Sequence, residues 1–267
     1  VSTAIPIIMG ANIGTTVTNT LVSLGHVRQS EEFKRAFAAA TVHDFFNVLA
    51  VAILLPVELI TGVMSSLAEK ISDQLVGSAG SDWDSPIKAW VKEPVSWIKD
   101  ALGGLGASGN ALGTLMVLSG LVTVLLALTF ITKNMRRLVA DRIERSLNKV
   151  LGSGAGTVAM LLGLIITISV QSSSITTSIL IPLAAAGVVT LRNIYPVTLG
   201  ANVGTTITAL LAALAASKPE ALTVGLVHTI FNLTGILLLY PLVRVREIPV
   251  RLAEGLACLL YTSDAAD

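Results

Sequence analysis

Charged side chains are scarce in this sequence, and they are unevenly distributed. Asp, Glu, Lys and Arg make up 13% of the 267 residues, whereas a soluble globular domain carries roughly 25%. Five long stretches contain no charged residue, namely 1–25, 111–132, 150–191, 193–217 and 221–243. A helix needs about 20 apolar residues to cross a bilayer. The sequence therefore predicts an all-α, multi-pass membrane protein.

Two further shortages narrow the chemistry. Cys258 is the single cysteine, which excludes an internal disulfide and a cysteine-based metal site. The net charge is only +1, so bulk charge gives no reason to expect a nucleic-acid partner. We expect no organic cofactor and no transition metal, and we expect the lipid bilayer to surround the chain.

An internal repeat runs through the sequence. Residues 6–18 match residues 196–208 at an offset of 190, and both copies read Gly-Ala-Asn-x-Gly-Thr-Thr at their centre. A second block, residues 42–47, matches residues 227–232 at an offset of 185, and both copies begin with Val-His and end with Phe-Asn. Two matches in the same order predict two copies of one structural unit.

The basic residues indicate how the two copies are oriented. Loops rich in Lys and Arg remain in the cytoplasm. Residues 133–149 contain six basic residues, and acidic residues outnumber lysines in residues 63–110. We therefore place the first segment inside and the second outside. An even number of crossings then separates the two Gly-Ala-Asn segments, so the copies run in opposite directions. Inverted repeats are typical of transporters, whose substrate site lies near the midplane between the repeats.

The expected organisation follows from these assignments. It comprises a first transport repeat (1–62), an outer loop (63–111), a linking span (112–132), a basic cytoplasmic segment (133–151), a second transport repeat (152–245) and a cytoplasmic tail (246–267). Trp83, Trp90 and Trp97 recur every seven residues in the outer loop. This spacing predicts short helices on the membrane surface or a small packed outer subdomain, with Pro86 and Pro94 breaking the helices into pieces. The last ten residues match no part of this pattern and are left out of the fold prediction.

The most polar segment lies inside an uncharged stretch. Residues 171–178 read Gln-Ser-Ser-Ser-Ile-Thr-Thr-Ser, with seven polar side chains in eight. Polar groups in hydrocarbon must find partners, and Ser and Thr hydroxyls compete for backbone groups. We therefore expect the helix to break here, as a pair of segments or a re-entrant hairpin. A break frees N–H groups that suit an anion, and carbonyls and hydroxyls that suit sodium.

The two Gly-Ala-Asn motifs allow two interpretations. Their glycines have the small-xxx-small spacing that packs membrane helices together, while their Asn and Thr side chains could bind a ligand. The candidate anion ligands in the motifs are Asn12, Thr15, Asn202 and Thr205, and the candidate sodium ligands are Thr16 and Thr206.

Two histidine–asparagine pairs accompany the motifs. His43 and Asn47 stand four residues apart, as do His228 and Asn232. An ionisable residue inside a membrane indicates a functional site by default. The alternative is a hydrogen bond that ties together the two helices of one repeat, and the recurrence of the pair in both copies favours this structural role.

The uncharged stretches also lack a counter-charge for an anion. Apart from His43, Asp44 and His228, the expected spans hold almost no ionisable side chain. Burying an uncompensated charge costs many kcal/mol, so an anion at the midplane must be accompanied by cations. This favours cation-coupled anion symport without selecting the anion.

These residues resemble the type II sodium/phosphate cotransporters. The resemblance rests on Gln171–Ser174, on both Gly-Ala-Asn motifs and on residues 35–47, Arg-Ala-Phe-Ala-Ala-Ala-Thr-Val-His-Asp-Phe-Phe-Asn. It implies sodium-coupled phosphate symport across the cell membrane by alternating access, at two Gln-Ser-Ser-Ser elements that face each other. The phosphate ligands that it implies are Gln171, Ser172, Ser173 and Ser174, and the implied sodium ligands are Ser174, Thr176 and Thr177.

The first Gln-Ser-Ser-Ser element would fall before residue 1, so we expect an N-terminally truncated member of the family with half of the site absent. Two alternatives remain. One is symport of another small anion, such as sulfate or a carboxylate, on the same scaffold. The other is an intramembrane hydrolase that uses a serine of residues 172–174 as nucleophile, with His228 as the base.

Overall fold

The computed structural model describes residues 4–15, 17–77, 86–123, 126, 156–216 and 218–264, and the regular structure of these residues is helical throughout. In the first half the helices are α1 (Ala4–Gly14), α2 (Val17–Ser23), a 3₁₀ turn (Leu24–His26), α3 (Ser30–Thr61), α4 (Val63–Gly77), α5 (Pro86–Gly104) and α6 (Gly109–Thr123). In the second half they are α7 (Gly156–Val170), α8 (Ser173–Ala185), α9 (Leu191–Ala216), α10 (Pro219–Leu239) and α11 (Val243–Asp264).

Four stretches are long and apolar enough to cross a membrane, and the first of them takes in α1, α2 and the 3₁₀ turn. They are Ala4–His26, Ser30–Thr61, Leu191–Ala216 and Pro219–Leu239. Large apolar side chains also cover the outside of the molecule; Ile60 and Leu237, for example, are 84% and 72% exposed. An apolar exterior of this kind fits hydrocarbon rather than water. The fold is that of an all-α membrane protein, as the charge-free stretches predicted.

A buried carboxylate defines the turn between α3 and α4. Glu58 accepts hydrogen bonds from the backbone N–H groups of Met64 (2.8 Å) and Ser65 (3.1 Å), and from the Ser65 hydroxyl (2.5 Å). An acidic acceptor at a helix N-terminus satisfies the free N–H groups there and interacts favourably with the helix dipole. Gly62 makes the turn with a φ of +60°, a conformation that favours glycine.

Glycines bring the backbones of α7 and α9 into direct contact. A Cβ atom on Gly200 would lie 1.8 Å from the Met160 carbonyl oxygen, and one on Gly163 would lie 2.0 Å from the Val197 carbonyl oxygen. On Gly204 a Cβ atom would lie 2.6 Å from the Cβ of Thr167. The second Gly-Ala-Asn motif therefore packs helices, one of the two roles that its spacing predicted.

The corresponding glycines of the first motif are open. Among the residues that the structure describes, a Cβ atom on Gly10 or Gly14 would meet nothing within 4 Å. The same motif thus presents a covered glycine face in the second copy and an uncovered one in the first.

The core lies where α3, α9 and α10 meet. Phe46, Tyr195 and Phe231 are almost completely buried there, and the rings of Phe46 and Tyr195 meet edge to face with centroids 6.2 Å apart. They belong to one hydrophobic cluster that also contains Met9 of α1 and Leu199 of α9, so this cluster takes residues from both copies.

The segment after α3 is partly packed and partly exposed. In α4, Met64 and Ala68 are buried, and the Ser72 hydroxyl donates to the Pro219 carbonyl at the start of α10 (3.4 Å). Trp97 of α5 is 69% exposed. The expectation that Pro94 breaks the helix was wrong, because α5 runs through it. Pro94 lies on an exposed face, where losing one backbone hydrogen bond does not end the helix. Trp83 and residues 133–151 lie outside the described residues.

Candidate functional site

The helix breaks within the Gln-Ser-Ser-Ser element, as predicted. Helix α7 ends at Val170, and Gln171 takes a φ of +54°, a conformation rare for a residue with a side chain. Ser172 is extended (φ −154°, ψ 111°), and its hydroxyl oxygen accepts from the Ile175 N–H at 3.4 Å. Ser172 therefore caps α8. The remaining free N–H groups at this end of α8 favour an anion.

The first turns of α8 carry a line of hydroxyl groups. Thr176 donates to the Ser172 carbonyl (3.1 Å) and accepts from the Thr167 hydroxyl of α7 (2.9 Å). Thr177 donates to the Ser173 carbonyl at 2.8 Å. Ser173, Thr176 and Thr177 are buried, whereas Gln171 is exposed. The break therefore places hydroxyl and carbonyl oxygens together in the protein interior, which is the donor set that sodium binds.

The first Gly-Ala-Asn motif also ends at a break, and the two breaks meet. Helix α1 ends at Gly14 and α2 starts at Val17. The Ser174 hydroxyl donates to the Thr15 carbonyl at 3.2 Å. This contact joins the Gln-Ser-Ser-Ser element of the second copy to the motif of the first. Thr16, a candidate sodium ligand, lies outside the described residues.

Asn19 belongs to the same polar cluster and was missed in the sequence. Its side-chain oxygen accepts hydrogen bonds from the hydroxyls of Thr177 (2.9 Å) and Ser178 (3.1 Å), and Asn19 is 2% exposed. One signal could have found it. Asn19 follows Asn12 by seven residues, a spacing that places two polar side chains on one helix face.

In the second motif, Asn202 is held by the first copy's histidine–asparagine pair. Its side-chain oxygen accepts from Nε2 of His43 at 2.6 Å, and its side-chain nitrogen donates to Oδ1 of Asn47 at 2.7 Å. All three residues are 2% exposed or less. We call this arrangement the first clamp.

Asn12 of the first motif is held in the same way by the second copy. Its side-chain oxygen accepts from Nε2 of His228 at 2.9 Å, and its side-chain nitrogen donates to Oδ1 of Asn232 at 3.0 Å. We call this the second clamp. Each copy therefore supplies the motif asparagine to one clamp and the histidine–asparagine pair to the other.

One hydrogen bond of the kind that the sequence suggested joins two helices of the same copy. Nδ2 of Asn47 donates to the Asn12 carbonyl, within the first copy, at 3.0 Å. The clamp bonds themselves run between the copies. The structural role expected for the four side chains stays a prediction, and most of their hydrogen bonds join the two copies rather than the two helices of one copy.

The remaining threonine candidates bond within their own helix. Thr205 donates to the Ala201 carbonyl (3.1 Å) and Thr206 to the Val203 carbonyl (2.7 Å). Helix α9 is continuous through both positions. In the first copy the helix breaks at the equivalent place, so the structure brings Thr15, but neither Thr205 nor Thr206, into a hydrogen bond with the Gln-Ser-Ser-Ser element.

The hydrolase alternative requires a base beside the serines of residues 172–174. In the part of the chain that the structure describes, no histidine is hydrogen-bonded to these serines, and Nε2 of His228 is bonded to the Asn12 side chain. Within the described ranges, no three His, Cys, Asp or Glu side chains come together as metal ligands. The site offers hydroxyl groups, side-chain amides and a helix N-terminus inside an apolar bundle.

Comparison with known proteins assigns the family. The model of the family described as Na+/Pi-cotransporter matches residues 123–261, and the chain belongs to this family. The description of this family names transport and not catalysis. The chain is 33% identical to sodium-dependent phosphate transport protein 2A of Rattus norvegicus, with 96% of the chain and 50% of the relative aligned. It is 32% identical to protein 2B of Homo sapiens, with 96% and 49% aligned.

The chain thus spans about half the length of the curated relatives that it matches. No solved structure matches it.

Proposed function

We propose that this protein carries out sodium-coupled symport of inorganic phosphate across the cell membrane, by alternating access between two inverted repeats. The single observation that carries the proposal is the polar break at residues 171–174, set in an apolar bundle of this family. The reciprocal clamps support the inverted repeat, because two-fold related copies are expected to exchange equivalent contacts.

Phosphate binds at the N-terminal end of α8 in this proposal. Its ligands are the helix N–H groups and the side chains of Gln171–Ser174, beside Thr15. Asn12 and Asn202 belong to the phosphate site in this proposal, and the clamps hold their side chains in place. Thr205 is the further phosphate ligand that the second motif contributes. Neither α7 nor α8 contains a Lys or Arg residue, so these two helices supply no cationic side chain to neutralise the anion.

Sodium supplies that charge. Its ligands in the proposal are the hydroxyl and carbonyl oxygens of Ser174, Thr176 and Thr177, which line the break. Thr16 and Thr206 of the motifs remain candidate ligands. Binding of anion and cation then becomes mutually dependent, because each ion reduces the cost of burying the other. This dependence is the physical basis of coupling.

We also propose that α7 and α8 form a re-entrant pair. At 1.5 Å per residue, helices of 15 and 13 residues are about 22 and 20 Å long, shorter than a hydrocarbon core of about 30 Å. Two such helices joined at Gln171 and Ser172 enter and leave on the same side. The phosphate site then lies near the midplane.

The first repeat works with an equivalent pair in this proposal. Helix α7 covers Gly200 and Gly204, and the equivalent glycines, Gly10 and Gly14, have an open face. That face accommodates a second α7-like helix, which carries the first Gln-Ser-Ser-Ser element from a part of the protein outside this sequence.

Uptake of radiolabelled phosphate into proteoliposomes tests the proposed function. With the full-length protein, we expect uptake driven by an inward sodium gradient and none with potassium. Absence of sodium-dependent uptake would contradict the proposal. Sulfate that competes as well as phosphate would assign the site to another anion.

Replacement of Ser173 tests the position of the site. A hydrogen bond to a charged group contributes about 1.5–3 kcal/mol, so Ser173→Ala should lower phosphate uptake by about tenfold or more. Ser96→Ala is the matched control, because Ser96 lies on α5 and its hydroxyl bonds only the Glu93 carbonyl, at an exposed position. Equal uptake by the two variants would show that the site lies elsewhere.

A further inference from the structure

Helix α11 runs along one end of the bundle rather than through it. Its Glu247 and Glu254 carboxylates pair with the Arg192 guanidinium at the start of α9, at 2.9 and 3.7 Å. Further along the helix, Ala257 lines a cavity together with Arg35, near the start of α3. These are the ends of α3 and α9 that the distribution of Lys and Arg places in the cytoplasm. Helix α11 therefore stays at the level of the cytoplasmic membrane surface over this length.

The composition of α11 fits that position. The helix follows α10, but it is not one of the four stretches that are long and apolar enough to cross a membrane. Its 22 residues include three arginines and three acidic residues. Val250, Ala253 and Ala257 are buried and belong to the hydrophobic cluster that also contains Phe37 of α3. One face of α11 is thus packed on the protein, and the other faces are left for the surroundings.

The outward face of α11 is apolar. Ile248, Leu252 and Leu259 are 43%, 42% and 69% exposed, and their spacings of four and seven residues place them on one side of the helix. At about 100° per residue, this side lies opposite the packed face. Exposed apolar side chains also lead up to it, because Leu237 of α10 and Leu242 of the connection are 72% and 62% exposed. We call Ile248, Leu252 and Leu259 the outer stripe.

The hairpin proposed for the first copy does not account for the outer stripe. Helix α4 ends the first copy as α11 ends the second. In the part of the chain that the structure describes, α4 packs chiefly on α10 and α3, and not on the hairpin of α7 and α8. Because two-fold related copies exchange equivalent contacts, the first hairpin is expected to leave α11 uncovered in the same way.

Two arginines lie along one edge of the outer stripe. Arg244 and Arg251 are seven residues apart and exposed, on the side of the stripe that leads to Glu247 and Glu254. The two glutamates pair with Arg192, whereas neither Arg244 nor Arg251 has an ion pair or a side-chain hydrogen bond among the described residues. Their charges are therefore available to an outside anion. Cationic side chains beside an apolar stripe complement the phosphates and acyl chains of an anionic phospholipid.

We propose that α11 is an interfacial helix that binds anionic phospholipids of the cytoplasmic leaflet. The outer stripe lies at the hydrated boundary between headgroups and acyl chains, and Arg244 and Arg251 contact the headgroup phosphates. The ion pairs with Arg192 hold the helix to α9 from its other side. This binding site is separate from the break between α7 and α8, and it requires neither sodium nor transport.

Fluorescence quenching in the full-length protein tests the position of the helix. A bimane label is attached to the cysteine of Leu252→Cys in a Cys258→Ser background, with any cysteine outside this sequence replaced by serine. The matched sample carries the label on Cys258, which is exposed and lies about 120° around the helix from residue 252. Both samples are placed in nanodiscs of phosphatidylcholine and phosphatidylglycerol.

We expect the label at 252 to be quenched more strongly by a lipid with a nitroxide near the top of its acyl chain than by aqueous iodide. The label at 258 should show the reverse order. Stronger quenching by iodide at both positions would place the outer stripe in water, and no quenching at 252 by either agent would show that protein covers it. Either result would overturn the proposal.

Replacement of the two arginines tests the headgroup contact. The Tm of the full-length protein is measured in nanodiscs of phosphatidylcholine alone and of phosphatidylcholine with phosphatidylglycerol. We expect the anionic lipid to raise the Tm by several degrees, and Arg244→Gln/Arg251→Gln to lose about half of this rise or more. Arg244→Lys/Arg251→Lys is the matched control, which keeps both charges and should keep the rise.

Each variant is compared with itself in the two lipids, so a change in its basal stability does not affect the comparison. An equal rise in the glutamine and lysine pairs would overturn the assignment of Arg244 and Arg251. Neither measurement uses phosphate or sodium. Absence of sodium-driven uptake would therefore overturn the proposed function and leave this proposal standing, so the two failures are distinguishable.

Discussion

Asn19 connects the two halves of the polar centre through a single side chain. Its oxygen accepts from two hydroxyls of α8, yet the internal repeat does not mark it, because Ala209 stands at the equivalent place in the second copy. The first turns of α8, which carry the candidate site, are thus held by an acceptor that only one copy provides.

Asn19→Ala should impair the candidate site without unfolding the protein. Removing one buried acceptor leaves two hydroxyls with a partner fewer each, a cost of about 1–3 kcal/mol. We expect sodium-driven phosphate uptake to fall by about tenfold, with a higher sodium concentration for half-maximal uptake. Asn110→Ala is the control, since Asn110 is exposed on α6. Unchanged sodium dependence in Asn19→Ala would remove Asn19 from the site.

At the residue level, the sequence predicts polar clusters better than it predicts their partners. A break within residues 171–178 could be predicted, because seven polar side chains in an uncharged stretch need partners that a plain membrane helix does not offer. The structure places it at Gln171 and Ser172. The clamp residues were also identified. Their partners in the opposite copy were not, because a match at fixed offset relates equivalent positions and carries no information about which positions touch.

At the level of elements, one motif gives two different structures. Gly-Ala-Asn-x-Gly-Thr-Thr lies in a continuous helix in α9 and ends at a helix break after α1. The local sequences are nearly identical, so intrinsic propensity does not decide the outcome. Their surroundings differ, because α7 packs on the glycine face of α9 while the glycine face of α1 is open. Sequence alone therefore predicts the helix but not its continuity.

The effect of these different surroundings on stability can be compared with two variants, Gly200→Ala and Gly10→Ala. A methyl group on Gly200 would overlap the Met160 backbone, and overpacking of this kind costs about 1–3 kcal/mol. We expect Gly200→Ala to lower the Tm of this chain in detergent by several degrees, while Gly10→Ala leaves it unchanged.

The same pair in the full-length protein tests the proposed second hairpin. If an α7-like helix covers Gly10 there, Gly10→Ala becomes as destabilising as Gly200→Ala. A full-length protein that tolerates Gly10→Ala would argue against that helix.

At the scale of the whole molecule, two ion pairs and one hydrogen bond join different helices at one end of the bundle. Arg192 at the start of α9 pairs with Glu247 (2.9 Å) and Glu254 (3.7 Å) of α11. Arg35, near the start of α3, donates from Nε to the Ala185 carbonyl at the end of α8 (2.9 Å). These are the ends that the distribution of Lys and Arg placed in the cytoplasm, so helices assigned to one side of the membrane do meet in the fold.

Impermeant thiol labelling in intact cells tests the orientation. Trp97→Cys on α5 and Leu252→Cys on α11, each exposed and each in a Cys258→Ser background, should behave oppositely. We expect the cysteine at 97 to label from outside, and the cysteine at 252 only after the cells are opened. Labelling of both positions in intact cells would refute the inverted arrangement.

The reciprocal clamps also bear on how such a protein can change over evolutionary time. Each clamp takes its histidine from one half of the chain and its motif asparagine from the other. After a duplication the two halves are therefore not free to drift apart at these positions, because a replacement in one half breaks a bond in the other. A half transplanted from a relative brings one side of both clamps, so chimaeras must be matched across the halves rather than within them.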